Sequence, residues 1–354
     1  MAGKKVALLG MDINFDRSTG AGVASYMYEL ANILKRLGPE SGFDVEVRPY
    51  RRGSSELADF IGLVLSNATK SYREYDIVHN LDVKPILPLN RGRAEFVATA
   101  HDYQPLLAPE LDSDMQGSLK SKAKLVLWIR YSLKLTLYAD YIIARSTMTK
   151  DDAVRLGFDR DRIFVVGGAV DKRYRAPLPA KKNRNRFVVG YIGAFRARKN
   201  VAFAVRAFNE LSDKGIFFDL WGKPAYEYDA IRQAATNPNI SFKGFAPEGK
   251  LVSIYDSFDA FVFPSLYEGL CLPILEAQAR GLPVIICKEG RIPEETRRYC
   301  LVAKDEDEMA GIIMRLKNEG YDPKLRKKAM AYARSFTWEK TAKETLEVYE
   351  KILS

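Results

Sequence analysis

The sequence predicts an α/β protein of two domains, each built on a parallel sheet. Three observations predict it. Short apolar runs of strand length alternate with helical patterns along both halves of the chain, the arrangement that gives right-handed βαβ units. A Pro-rich, then basic stretch, APLPAKKNRNR at residues 176–186, follows neither period and has the composition of an interdomain linker. At 354 residues the chain exceeds one ordinary core. The expected organisation is a first domain at 1–175, the linker at 176–186, a second domain at 187–336 and a closing helix at 337–354.

In the first half, Lys4 to Leu9 is a short apolar strand that enters a Gly-rich turn and then a helix with apolar residues at helical spacing. Strand, glycine loop and helix form a Rossmann-like opening. Gly20 and Gly22 allow backbone to approach a phosphate or sugar closely, although the full G-x-G-x-x-G pattern is absent. Asp44–Val47, Asp76–His79, Glu95–Thr99 and Tyr141–Ala144 are further strands. His79 and His101 both follow apolar runs, which places them at the carboxyl edge of the sheet, where ligands of such sheets bind; His79 is expected to be structural, bonded to neighbouring backbone. The stretch from Gly117 to Tyr138 carries Lys120, Lys122, Lys124, Arg130 and Lys134 without an acid, interleaved with aromatics and leucines. This composition fits a helix lying on an anionic membrane and equally a core helix with a solvated basic face.

In the second half, Phe187–Ile192 is a strand, followed by GAFRARKN, with Arg196, Arg198 and Lys199 at the start of a helix, placed to bind two phosphates. Phe217–Trp221 and Ile240–Phe242 are strands. The run Ala260–Phe263 is a buried strand stopped by Pro264. Beyond it come Glu268, Gly269 and then Pro273 as a first helical residue, the helix ending at Gly281. The amides near Leu270, Cys271 and Leu272 stand at that helix N-terminus, which favours an anion such as a diphosphate. Glu268 and Glu276 are separated by seven residues and either face one ligand together or serve as an exposed loop acid and an i,i+4 partner of Arg280. Trp338–Leu353 is an amphipathic helix with Thr337 as its N-cap.

The stretch FVFPSLYEGLCLPILEAQARGLPVI, with Glu268 and Glu276, resembles the E-x7-E signature of the family-four glycosyltransferases. These are retaining, glycogen-synthase-like enzymes ("glycosyl transferases group 1") of the GT-B fold. The resemblance implies two Rossmann-like domains facing each other across a donor-binding cleft, with the C-terminal helix crossing back to the N-terminal domain. It implies that Glu268 contacts the donor sugar and Glu276 the nucleotide ribose, with Gly269, Leu270, Cys271 and Leu272 about the diphosphate; Leu270 replaces an aromatic of the family and Cys271 a glycine. TAHDYQPLLAPE resembles the family's His-Asp turn, so His101 is matched to the histidine that approaches the donor sugar's hydroxyl and reacting carbon. Gly20 and Gly22 match the opening glycine loop, and GAVD the end of the first domain. Lys199 matches a diphosphate lysine, whereas Ala194 occupies the usual arginine position, so that Arg196 or Arg198 must substitute. Phe245 falls where the family cradles the nucleobase. The implied reaction moves a sugar from a UDP- or GDP-sugar to a glycan or a polyprenyl or glycolipid acceptor, by front-face attack with no enzyme nucleophile and with no metal or other cofactor.

Composition bounds the alternatives. A net charge of +10 implies an anionic partner: a nucleotide diphosphate, a lipid headgroup or nucleic acid, the last disfavoured because no recognised module gathers the basic residues. Three widely spaced cysteines and two histidines argue against a disulfide framework and a histidine metal cluster. The D-x-D triplets at Asp112–Asp114 and Asp305–Asp307 are expected to be solvated loops rather than metal carriers. No run reaches the about eighteen apolar residues of a membrane span, and MAGKKVALLGMD lacks a signal peptide's apolar core, which points to the cytoplasm or the inner face of its membrane. A nucleotide-sugar epimerase of similar fold and a silent membrane-surface binding protein are the competing functional classes.

Overall fold

The computed structural model describes residues 3–10, 22–49, 70–82, 88–111, 133–134, 136–179 and 186–354. Gly20, Lys120, Lys122, Lys124, Arg130 and the triplet Asp112–Asp114 lie outside the described residues; Lys134 is described and exposed. The chain forms two units. One takes in the residues up to Leu106, a stretch that closes at Ala169, and Thr337–Ser354; the other takes in Val170–Phe336.

The first unit is a parallel sheet of β1 (Lys4–Gly10), β2 (Phe43–Pro49), β3 (Ile77–Asn80), β4 (Glu95–Ala100), β5 (Tyr141–Ala144) and β6 (Ile163–Val165) in the order β2-β1-β3-β4-β5-β6. Its central strands are near-continuous apolar runs because both faces are covered: Val6, Leu8, Ile77 and Val97 are fully buried. The helix Gly22–Leu37 buries Tyr26, Met27, Leu30, Ala31 and Leu34, one stripe at helical spacing, and ends with Lys35 and Arg36 in its last turn, where cations favour the carboxyl end of the helix dipole.

The closing helix, Trp338–Leu353, belongs to this unit. Thr337 accepts a hydrogen bond from the Lys340 amide at 3.1 Å, so the N-cap expected from sequence forms. Trp338, Ala342, Leu346 and Tyr349 then bury their side chains in the same core as the helix Gly22–Leu37. Tyr349 reaches His79, whose Nδ1 lies 2.6 Å from the Tyr349 hydroxyl while Nε2 lies 2.9 Å from Thr99 Oγ1. His79 is therefore structural, as expected, but its partners are side chains rather than backbone. It also sits inside β3, fully buried, instead of at the sheet edge. Burial pushes its imidazole down to about 3, so it is neutral at physiological pH.

The second unit repeats the plan with β7 (Phe187–Ile192), β8 (Ile216–Trp221), β9 (Ile240–Gly244), β10 (Ala260–Val262), β11 (Val284–Cys287) and β12 (Leu301–Ala303), all parallel, in the order β12-β11-β10-β7-β8-β9. Gly190 lets the Phe258 ring lie against β7; a Cβ there would come within 2.2 Å of it. Asp305 accepts from the Glu308 amide at 2.8 Å as the N-cap of the helix Glu306–Glu319, and Glu306 pairs with Arg206. This acidic triplet is thus a helix start with a neighbouring ion pair, not the expected free loop. Arg280 is buried and forked onto Asp256 at 2.7 and 2.8 Å, and it donates to the carbonyls of Ala176 and Pro177. The alternative pairing of Glu276 with Arg280 is not made.

The helix Leu272–Ala279 begins one residue before Pro273, and its N-cap Cys271 has φ +74°, in the left-handed region. That region costs a residue with a Cβ about 1–2 kcal/mol. Cys271→Gly is therefore expected to leave the protein about 1 kcal/mol more stable than Cys271→Ala does, the reverse of the ordinary Gly–Ala ranking; paired thermal melts read the difference. Tyr349→Phe leaves a buried imidazole nitrogen without its partner and should cost about 1–3 kcal/mol in urea unfolding.

Candidate active site

In the second unit the chain builds outward from β7 through β8 to β9, then returns with β10 on the other side of β7. The loops after β7 and β10 diverge from that point, and in open parallel sheets this crevice at the carboxyl ends holds the ligand. Here the two loops are sewn together. The Arg198 carbonyl accepts from the Leu266 amide at 2.7 Å and from Ser265 Oγ at 3.0 Å, and the Arg198 guanidinium donates to the Tyr267 carbonyl at 3.2 Å. The Glu268 amide donates to the Arg291 carbonyl at 3.1 Å. Gly290 is required beside this loop, because a Cβ there would lie 2.5 Å from the Ser265 carbonyl.

The side chains carried by these loops form one charged cluster. Lys199 donates to Glu268 Oε1, Ser265 Oγ donates to the same oxygen at 2.5 Å, and Arg198 Nη1 stands 3.4 Å from it. Lys199 also lies over the Phe263 ring, 5.0 Å from its centroid. Glu268 is buried. Burial alone would raise its carboxyl, but Lys199 and then Arg198 outweigh it and hold the group below the usual carboxylate range. Burial pushes the Lys199 ammonium down, with Arg198 adding to the effect and Glu268 opposing it. Two cations against one carboxylate leave the cluster net positive. Of the two arginines left open by the sequence, Arg198 is brought to Glu268; Arg196 is exposed, one residue ahead of the short 3-10 turn Ala197–Lys199.

Next to the cluster, the helix start at Leu272 presents its first amides behind Gly269, Leu270 and Cys271. Glu276 follows one turn on and accepts from the Tyr255 hydroxyl at 2.9 Å. Among the described residues no cation stands within ion-pair distance of it, and burial pushes its carboxyl up to about 7, with the Tyr255 hydrogen bond and then the Arg173 charge opposing. Phe245 is exposed at the end of β9, with Lys223 Nζ 4.5 Å from its ring centroid. Sequence reasoning missed Ser265 and Tyr255. Ser265 sits three residues before Glu268 and could have been read as its neighbour; Tyr255, 21 residues before Glu276, carries no local signal.

In the first unit, three neighbouring strands, β3, β4 and β5, end at Asn80, Ala100 and Ala144, and the next residues turn toward that edge. His101 Nε2 lies 2.9 Å from the Leu81 carbonyl. A carbonyl only accepts, so Nε2 carries the proton and Nδ1 offers its lone pair to Arg145 Nη1 at 3.4 Å. The Tyr26 ring meets His101 edge-on, centroids 5.2 Å apart. Burial first, then Arg145, pushes the imidazole down to about 3; it is a neutral group with a fixed tautomer. Arg145, missed by sequence reasoning, is 4% exposed and stacks on Tyr26 at 3.7 Å. Its signal was slight: a single charge directly after the apolar run of β5. Among the described residues it pairs with no carboxylate, and its Nε has no hydrogen-bond partner. A desolvated cation–π contact supplies about 2 kcal/mol, less than the several kcal/mol of burying a guanidinium. Gly22, at the start of the helix that carries Tyr26, would meet nothing within 4 Å with a Cβ added.

Among the described residues no group of three or more His, Cys, Asp or Glu is placed to hold a metal ion, and no helix is long and apolar enough to cross a membrane.

Two family descriptions match the chain: Glycosyltransferase Family 4 over residues 20–174 and Glycosyl transferases group 1 over residues 186–319. The O-antigen chain mannosyltransferase B of Escherichia coli is 27% identical over 311 residues, 80% of this chain and 76% of that protein. The D-inositol 3-phosphate glycosyltransferase of Nocardia farcinica is 26% identical over 99% of this chain and 82% of its own length. Among solved structures, Anabaena HepE in complex with UDP and glucose aligns with a TM-score of 0.72 at 19% identity, over 98% of this chain and 100% of that one. Sucrose-phosphate synthase of Thermosynechococcus elongatus gives 0.74 at 19%, over 99% of each. With two parallel sheets in the GT-B arrangement of strands and both family descriptions matched in order, the chain belongs to the family-four GT-B glycosyltransferases and is a glycosyltransferase.

Proposed function

We propose that this enzyme takes a sugar from a nucleotide-diphosphate sugar, with UDP or GDP as the nucleotide, and passes it with retention to a glycan or lipid-linked acceptor, without a metal. The observation that carries this reading is the net-positive cluster of Lys199, Arg198 and Glu268 at the switch point of the second sheet, beside the helix start at Leu272. Breaking the bond from sugar to diphosphate builds negative charge on the leaving group, and cations fixed beforehand stabilise it without reorganising. Lys199 and Arg198 supply that charge from the protein itself, which is the basis for proposing metal independence. Glu268 holds Lys199 in place until the donor arrives, and its buried carboxylate then has the polarity to take sugar hydroxyls. Glu276, oriented by Tyr255, takes the ribose diol, and Phe245 offers an exposed ring to the base. His101, neutral and with both nitrogens engaged, is assigned a positioning part on the sugar side and no proton transfer. HepE, solved with UDP and with UDP-glucose, and the mannosyltransferase of Escherichia coli support a nucleotide-sugar donor.

Thermal stability measured with UDP, GDP and ADP in parallel tests the donor site. One nucleotide at a hundred times its dissociation constant should stabilise the protein by about 2.7 kcal/mol, and Lys199→Ala should remove most of that gain. No response to any nucleotide would overturn the reading. A response with a hexosamine epimer and free UDP formed in the absence of acceptor would instead identify an epimerase.

The sign of the pH dependence follows from Glu276. Its folded-state carboxyl titrates at about 7 rather than 4.5, so between those values the folded chain holds a proton that the unfolded chain has released. Stability therefore falls as pH rises through this window, while affinity for the ribose, which needs the ionised carboxylate, rises. Glu276→Gln should flatten both profiles, read by melts and nucleotide titrations from pH 5 to 8. Turnover should persist in excess chelator; abolition by chelator with rescue by Mg²⁺ or Mn²⁺ would refute metal independence.

A further inference from the structure

We propose that Arg145, with His101 beside it, forms a binding site in the first unit for an oxyanion, and that this oxyanion is a phosphate or carboxylate carried by the acceptor. The assignment to the acceptor rests on the reading of the enzyme as a glycosyltransferase; the anion site itself does not. Arg145 is 4% exposed. Among the described residues its one side-chain hydrogen-bond partner is His101 Nδ1, at a long 3.4 Å, and Nε donates to none of them. A buried guanidinium is ordinarily matched by a carboxylate that fills its planar fork. Here the Asp102 carboxylate accepts from the Gln104 amide, and buried Asp82 has interactions of its own. Among the described residues no carboxylate pairs with Arg145, and the Tyr26 ring stacked on it is a neutral phenol.

Three further observations point to a ligand rather than to a merely uncomfortable residue. At the carboxyl end of β3 the Asn80 side chain is fully buried with its Oδ1 unpartnered, an acceptor available to a hydroxyl of a ligand at this sheet edge. Arg145, His101 and Asn80 lie at the carboxyl ends of three adjacent parallel strands, where such sheets bind ligands. Tyr26, stacked on Arg145, is on the second turn of the helix Gly22–Leu37, whose first turn carries no acid, so a helix N-terminus lies close by and favours the same sign of ligand. His101 fits this account: its lone pair on Nδ1 steadies one end of the guanidinium, while the buried Nε has no acceptor among the described residues.

The test uses the full chain and begins with Arg145→Met, which keeps the stem over Tyr26 and removes the charge. If Arg145 serves a ligand, the unliganded variant melts at the wild-type temperature or above it, because an uncompensated buried charge has been deleted; a clearly lower melting temperature marks a structural arginine and overturns the proposal. Inorganic phosphate is then titrated in an Arg198→Met, Lys199→Met, Glu268→Gln background, which removes the cations of the second unit together with their counter-ion so that they do not respond and no unpaired carboxylate is left buried. Phosphate should raise the melting temperature there, and adding Arg145→Met should weaken its apparent affinity by about 10- to 100-fold, the loss of one or two charged hydrogen bonds. An undiminished phosphate response in the variant overturns the proposal. Acetate, glucose 1-phosphate and vesicles of anionic phospholipid, each set against phosphate, separate a carboxylate, a soluble phosphate and a lipid-borne one; competition by any supports the site, and competition by none overturns its link to an acceptor. Failure of the nucleotide response with an Arg145-dependent phosphate response would sink the nucleotide-sugar donor reading while leaving the anion site standing, and the converse result would sink this inference alone.

Discussion

A buried carboxylate needs a cation, and in this protein the need is met by residues from two different strands. Glu268 comes from the loop after β10; Lys199 and Arg198 come from the loop after β7. Neither loop has a regular ladder to hold it, so the ion pairs and the two hydrogen bonds onto the Arg198 carbonyl fix both at once. Removing Glu268 leaves Lys199 and Arg198 without their carboxylate, the kind of loss that costs about 3–5 kcal/mol in comparable buried settings. The charges proposed to serve the chemistry therefore also hold together the part of the fold that carries them. That coupling preorganises the site: the ammonium and guanidinium are already placed, so the reaction need not reorient them.

The strand order supplies the place where such a pairing can form. In each sheet the chain lays strands in one direction, goes back to the middle and lays the rest in the other, at β1 and β3 in one unit and at β7 and β10 in the other. Loops from the two sides of a switch point part from each other and leave a crevice that no crossover helix covers. The closing helix serves the first unit in another way. Its buried stripe, from Trp338 to Tyr349, completes the core beneath the helix Gly22–Leu37, and the Tyr349 hydroxyl partners the His79 Nδ1 in the middle of β3, the nitrogen that Thr99 does not reach.

Much of this was legible in the sequence, and what was not has physical reasons. Strands buried on both faces show as continuous apolar runs, so Lys4–Leu9, Tyr141–Ala144 and Phe187–Ile192 fall where the sequence puts them. The edge strands β6 and β12 have three residues each, too few for any period to emerge. The glutamate pair and Lys199 stood out through motif spacing, but the choice between Arg196 and Arg198 depended on a 3-10 turn that places one inward and leaves the other in solvent. Ser265, Tyr255 and Arg145 escaped because their importance lies in what packing brings next to them. For His79 the run of apolar residues gave the right strand and a structural role; its partners, Thr99 and Tyr349, lie 20 and 270 residues away and are fixed only by tertiary structure.

The two buried cationic centres differ in one respect that bears on what each can bind. Lys199 has an internal counter-ion, Glu268, which balances one of the two positive charges of its cluster. Arg145 has none among the described residues, where a tyrosine face and a neutral imidazole are what offset its desolvation. A fold selected for stability alone would place an aliphatic side chain there, since apolar replacements of buried charges are often stabilising. Such destabilisation persists in native proteins chiefly where a ligand relieves it, and the size of the mismatch sets how strongly a well-shaped anion is drawn in. The same physics gives the site its selectivity: a neutral hydroxyl can accept one hydrogen bond from the open guanidinium edge, but only an oxyanion satisfies both its geometry and its charge.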